Sequence, residues 1–120
     1  MNKQTILVVE DVESNYLLVE SILSRKDINL IHAYNGKEAV DAFKVNSEID
    51  LILMDMRMPC MDGYEATKMI RGLDNKIPII ALTAYAMKGD IDKSLKSGCN
   101  DHLSKPVLSS SHPQIRPLNN

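Results

Sequence analysis

Apolar residues in this chain fall into short unbroken runs, separated by longer stretches that repeat at helical spacing. A short apolar run bounded by turn residues reads as a strand buried on both faces. Gln4–Val9, Ile49–Asp55 and Ile77–Leu82 read this way, the last tolerating Pro78 near its start. Asn29–Ala33 is shorter and alternating, and Asp101–Ser104 is a short final strand running into Lys105-Pro106. The stretches between them have helical period. Ser14–Ser24 carries Tyr16, Leu17, Val19, Ile22 and Leu23. Lys37–Lys44 carries Ala39, Val40 and Phe43, and Gly63–Gly72 carries Tyr64, Ala66, Met69 and Ile70. Lys88–Ser97 is weaker, with Ile91 and Leu95 as its apolar positions, and Gly98 ends it. Strands that alternate with helices predict a doubly wound α/β fold, a parallel sheet with helices on both faces.

The tail departs from the pattern. Residues 108–120 contain Pro113 and Pro117, and their apolar spacing does not fit the fifth helix that the alternation calls for. The domain is therefore expected to span residues 1–107. The tail is expected to be irregular, arising from truncation or foreign to the fold. A lost amphipathic helix removes about three to five large apolar contacts, each worth roughly 1.5–3 kcal/mol. Either Val107, Leu108, Ile115 and Leu118 pack over the gap, or a second molecule covers it. The sequence favours the second course, as a homodimer or a dimer that exchanges elements.

Composition narrows the partners. The chain has 120 residues, 44% of them hydrophobic, which suits one domain with a real core. Its 14 basic and 16 acidic side chains give a net charge of −2, so no general nucleic-acid or membrane surface is expected. No apolar run is long enough to span a bilayer, and the start goes directly into a strand without a secretory signal, which suits the cytoplasm. Cys60 and Cys99 make no metal pattern and read as free thiols.

The chemistry gathers at the strand ends. Leu51-Ile52-Leu53-Met54 runs straight into Asp55, and Pro59 then stops any extension. Other strands end in Glu10-Asp11, in Thr83 and at Lys105. In a parallel sheet these ends share one edge, where open α/β sheets bind ligands. Each residue has an ordinary reading: Glu10-Asp11 as a strand exit and cap, Thr83 in a turn, Lys105 as a solvated charge. Together they suggest a site. Three close carboxylates repel one another unless a cation lies among them, and hard oxygen ligands suit Mg2+. Beside it Asp55 can take a phosphoryl group, with Lys105 holding a phosphoryl oxygen and Thr83 donating to another.

With these residues in place the chain resembles the receiver domain of two-component response regulators. The likeness rests on Val8-Val9-Glu10-Asp11, on Asp55 to Gly63 (Asp-Met-Arg-Met-Pro-Cys-Met-Asp-Gly), on Ala81-Leu82-Thr83-Ala84 and on Gly98 to Pro106. The resemblance implies a CheY-like sheet of order 2-1-3-4-5. It implies that Asp55 accepts phosphate from a histidine kinase or histidine phosphotransfer protein, and that phosphorylation switches the conformation. Such a domain is not a turnover enzyme. Mg2+ would be held by Asp11, Asp55 and the backbone carbonyl of Arg57, with Glu10 acting mostly through a water. Thr83 and Lys105 would bind the phosphoryl group. Asn15, and the run Met61 to Ala66, look most like receivers attached to hybrid sensor kinases. Two departures stand out: the missing final helix, and His102, where the family usually has Tyr or Phe. Two alternatives remain: a pseudo-receiver acting through protein contacts alone, and a metal-dependent phosphatase, which would need an Asp where Arg57 stands. Arg57 and Tyr85, each two residues beyond a site residue, are expected to reach over the crevice and obstruct the attacking water.

Overall fold

The apolar runs become the strands of one sheet and the periodic stretches its helices. The computed structural model describes residues 3–24, 27–58, 61–83 and 88–104. In chain order the elements are β1 (Gln4–Val9), α1 (Glu13–Leu23), β2 (Ile28–Ala33), α2 (Gly36–Val45), β3 (Leu51–Asp55), α3 (Gly63–Leu73), β4 (Ile79–Thr83), α4 (Lys88–Ser97) and β5 (Asp101–Ser104). The sheet is parallel throughout, in the order β2-β1-β3-β4-β5. That is the expected doubly wound α/β arrangement. The tail, and with it the question of a fifth helix, lies outside the described residues, as do Cys60, Tyr85 and Lys105.

Each face of the sheet carries its own apolar cluster. On one, Leu7, Val9, Ile52, Met54, Ile79 and Ala81 pack under Ala39, Val40, Ala66 and Ile70 of α2 and α3. On the other, Ile6, Val8, Leu53 and Leu82 meet Tyr16 and Val19 of α1. The alternation along β1, Leu7 and Val9 one way and Ile6 and Val8 the other, is the period-two geometry of a strand buried on both sides.

Two strands begin later than the apolar runs suggest. Ile49 is buried but lies before β3, because Asp50 turns back onto β1: its N–H donates to the Thr5 carbonyl at 2.7 Å, and its Oδ2 accepts from the Thr5 N–H at 2.8 Å. Ile77 is also buried ahead of β4, where Pro78 has no N–H to give the ladder. Helix starts follow local chemistry. Asn35 Oδ1 accepts the Glu38 N–H at 2.9 Å, and Asp62 Oδ1 accepts the Glu65 N–H at 2.9 Å, each capping a helix whose first N–H groups have no partner within it.

The helix faces differ from expectation at several positions. Leu17 and Ile22 of α1, Met69 of α3 and Leu95 of α4 are exposed. Thr67 of α3 and Ser94 and Ser97 of α4 are buried instead. The two serines donate to carbonyls one turn back, Asp90 and Lys93, each at 2.9 Å. Small hydroxyl side chains satisfy themselves locally on the buried side of α4, while Leu95 faces out. At the other end of α4, Gly98 adopts φ 119°, a left-handed conformation natural to glycine at a helix terminus.

Candidate functional site

β1 and β3 are neighbours, so their carboxyl ends deliver Glu10-Asp11 and Asp55 to one point. One carboxylate oxygen from each of Glu10, Asp11 and Asp55 lies within 4.8 Å of the others. Glu10 is fully buried, Asp55 nearly so at 2%, and Asp11 half-buried. Glu10 Oε2 accepts the Val12 N–H at 3.2 Å, and Asp55 Oδ1 accepts the Arg57 N–H at 3.1 Å. Both carboxylates are thus oriented by backbone donors two residues on.

Gly63 lets the loop after β3 close down on the site. Its N–H donates to the Met56 carbonyl at 3.2 Å. A Cβ there would collide with the Asp55 carbonyl oxygen and stand 2.7 Å from Met56 Cα. Only a residue without a side chain allows α3 to begin so close to the strand end.

Thr83 lies at the end of the adjacent strand, one residue past the Asp55–Leu82 pair. It is buried, with its hydroxyl 3.5 Å from the Leu103 carbonyl, a long contact. Ser104, the residue before Lys105, pairs with Thr83; Lys105 itself is outside the described residues. The Arg57 guanidinium donates to Asp90 Oδ1 of α4 at 3.2 Å. That side chain is therefore tied to α4 from its position beside the acidic cluster. His102 sits half-exposed on β5, paired with Ala81, its ring Nδ1 3.7 Å from Asp101 Oδ1.

Two contacts around the site had no signal in the sequence. Asp90 meets Arg57 across 33 residues, and His32 of β2 reaches the Glu10 carbonyl across 22, with Nε2 at 2.9 Å. The His32 ring is stacked on Tyr16 and flanked by Tyr34. Both phenols have raised pKa values. Burial is the main cause for Tyr16, and the neighbouring Glu13 carboxylate for Tyr34, whose hydroxyl donates to Glu13 Oε1 at 3.3 Å.

An all-oxygen donor set of three converging carboxylates could hold a hard divalent cation. Asp11 and Asp55 would hold Mg2+ there, with Glu10 close enough to act through a water.

The model of the response regulator receiver domain matches residues 6–113. The chain belongs to that family. This receiver domain is 42% identical over 115 residues to the hybrid signal transduction histidine kinase I of Dictyostelium discoideum; the match takes in 89% of the chain but only 7% of that kinase. Among solved structures it is 40% identical, with TM-score 0.79, to the receiver domain of a Pseudomonas aeruginosa sensor histidine kinase with a magnesium ion coordinated in its active-site cleft, covering 87% of this chain and 86% of that one. It is 37% identical, with TM-score 0.80, to the receiver domain of the Saccharomyces cerevisiae response regulator Ssk1, co-crystallised with the histidine phosphotransfer protein Ypd1; 88% and 80% of the two chains are covered. Receiver domains of two-component systems are signalling domains and not enzymes in the ordinary sense. Among the described residues no helix is long and apolar enough to cross a membrane.

Proposed function

We propose that this receiver domain accepts a phosphoryl group on Asp55 from a histidine of a kinase or phosphotransfer protein, with Mg2+ as cofactor. The observation that carries the reading is the convergence of Glu10, Asp11 and Asp55, with Asp55 buried on a rigid strand tip. An oxygen of Asp55 attacks the phosphorus in line. The bond from phosphorus to the donor's imidazole nitrogen breaks, and that nitrogen keeps the electron pair. Glu10, Asp11, Asp55 and the Arg57 carbonyl would hold the ion, which would offset charge on the carboxylates and on the phosphoryl oxygens. Thr83 and Lys105 bind those oxygens, as donor and point charge, and so report the modification to β4 and β5.

A protein donor suits the surroundings. Val12, Leu17, Leu18 and Ile22 are exposed apolar side chains on and just before α1, the helix that starts beside the acidic cluster. We take the domain to be cytoplasmic, and either free-standing, like the relatives of similar length, or part of a hybrid kinase. The domain is taken to end near residue 107, with the place a fifth helix would fill closed by a second copy; light scattering that finds only monomer at high micromolar concentration would refute that last point.

The central test is incubation with acetyl phosphate and MgCl2, read by intact mass. The native chain should gain one phosphoryl group and Asp55→Asn none. Failure to label from acetyl phosphate and from a phosphohistidine protein alike would leave a pseudo-receiver and sink the proposal.

A further inference from the structure

His32 has a position that the phosphoacceptor reading does not use. It lies on β2 opposite Val8 of β1, and its Nε2 is 2.9 Å from the Glu10 carbonyl oxygen. A carbonyl only accepts, so Nε2 carries the proton and donates. The next residue of β2 completes the grip: the Glu10 N–H donates to the Ala33 carbonyl at 3.0 Å. Consecutive residues of one strand thus hold both sides of the Glu10 backbone, one with main chain and one with an imidazole.

The imidazole is itself fixed. Its ring lies 3.7 Å from that of Tyr16 with a 1° angle between the planes, and 3.9 Å from that of Tyr34 at 31°. Tyr16 is buried on α1, and Tyr34 is tethered through its hydroxyl to Glu13. One ring stacked on it and a second, tilted ring close by leave His32 little freedom to turn away from the carbonyl.

The Glu10 carbonyl matters because of the peptide it belongs to. The six atoms of a peptide unit are coplanar. The C=O of Glu10 and the N–H and Cα of Asp11 therefore move as one plate. A donor that fixes the direction of the carbonyl also fixes where Asp11 leaves the chain. β1 ends at Val9, so beyond it the ladder no longer sets that direction.

We infer that His32 is a positioning residue for the metal site: its Nε2–H orients the Glu10–Asp11 peptide so that both carboxylates face Asp55. The inference rests on the proposed Mg2+ site, and its test separates the two. Amide spectra of 15N-labelled native chain, His32→Phe, His32→Gln and Asp11→Asn are recorded during MgCl2 titration. Thermal midpoints are measured in EDTA. Phe keeps a ring in the stack and loses the donor. Gln loses the ring but carries an amide N–H the same number of bonds from Cα.

Mg2+ should bind His32→Phe about three- to tenfold more weakly than the native chain, the range of one lost hydrogen bond. His32→Gln should stay within about twofold of native. A merely structural role would lower the thermal midpoint and leave the dissociation constant of the folded molecule unchanged. Equal affinity in His32→Phe and native chain, or equal weakening in both variants, overturns the inference while the metal site stands. Should His32→Phe fail to fold, His32→Met takes its place with the same expected loss. A native chain whose spectrum ignores Mg2+, or one titrated no differently from Asp11→Asn, removes the metal site and the inference with it.

Discussion

Asp11→Asn should stabilise the metal-free protein. The substituted amide is nearly isosteric, so the main change is the loss of one negative charge from the cluster. At a separation of 4.8 Å two unit charges repel by about 3.5 kcal/mol at an effective dielectric of 20, and by about 0.9 kcal/mol in water. Asp11 faces two such partners and is half-buried. The gross relief is therefore about 2–7 kcal/mol, before counting the solvation Asp11 retains and the attraction of the proposed Lys105 ammonium. A net gain of about 1–3 kcal/mol in EDTA is expected, large against the stability of a domain of this size. Mg2+ narrows the difference. An ion at ten times its dissociation constant stabilises the native chain by about 1.4 kcal/mol, and the variant, short of a ligand, by much less. Urea denaturation in EDTA and in MgCl2 gives all four stabilities. A variant no more stable than the native chain in EDTA, or one stabilised equally by Mg2+, would show that the cluster is not a strained, cation-seeking site.

Three further outcomes can be checked directly. Gly63→Ala should cost about 2–3 kcal/mol and impair Asp55 labelling, since the added Cβ meets backbone on both sides of the strand end; a urea midpoint within error of native refutes that packing argument. Burial pushes the Cys99 thiol up from its ordinary value of 9.0, so the folded state favours the neutral form: its contribution to stability is complete below about pH 9 and falls as the pH rises beyond it. Urea midpoints between about pH 8 and 10.5 should then fall more steeply for the native chain than for Cys99→Ala, and parallel curves would exclude this cause. Arg57 and Tyr85 each stand two residues beyond a proposed site residue, so the phosphoryl lifetime on Asp55 should be at least about twofold shorter in an Arg57→Ala, Tyr85→Ala variant, which would leave the in-line water less obstructed; equal lifetimes would show that neither side chain screens it.

The arrangement of strands and most of the site were legible in the sequence because both are written locally. A parallel strand buried on two faces needs an unbroken apolar run, and where that run stops at a carboxylate, as at Met54-Asp55, the edge of the sheet is marked. Helix periodicity was a weaker guide. It separates two faces of a helix without saying how wide the buried stripe is or what lies opposite. Hence Leu17, Ile22, Met69 and Leu95 read as core and are exposed, while Thr67, Ser94 and Ser97 are buried. Nothing local marks Ser94 as inward, since the space it fills is shaped by another element.

The same division runs through the candidate site. The types and spacing of Glu10, Asp11, Asp55 and Thr83 follow from strand ends, so the sequence by itself determined which carboxylates and hydroxyl share an edge. The tertiary structure alone decided what holds them. Asp90 reaches Arg57, and His32 reaches the Glu10 carbonyl, only after strands and helices distant in sequence lie side by side. A hydrogen bond depends on distance and direction between two groups, and the chain order of residues 22 or 33 apart carries neither until the sheet has assembled.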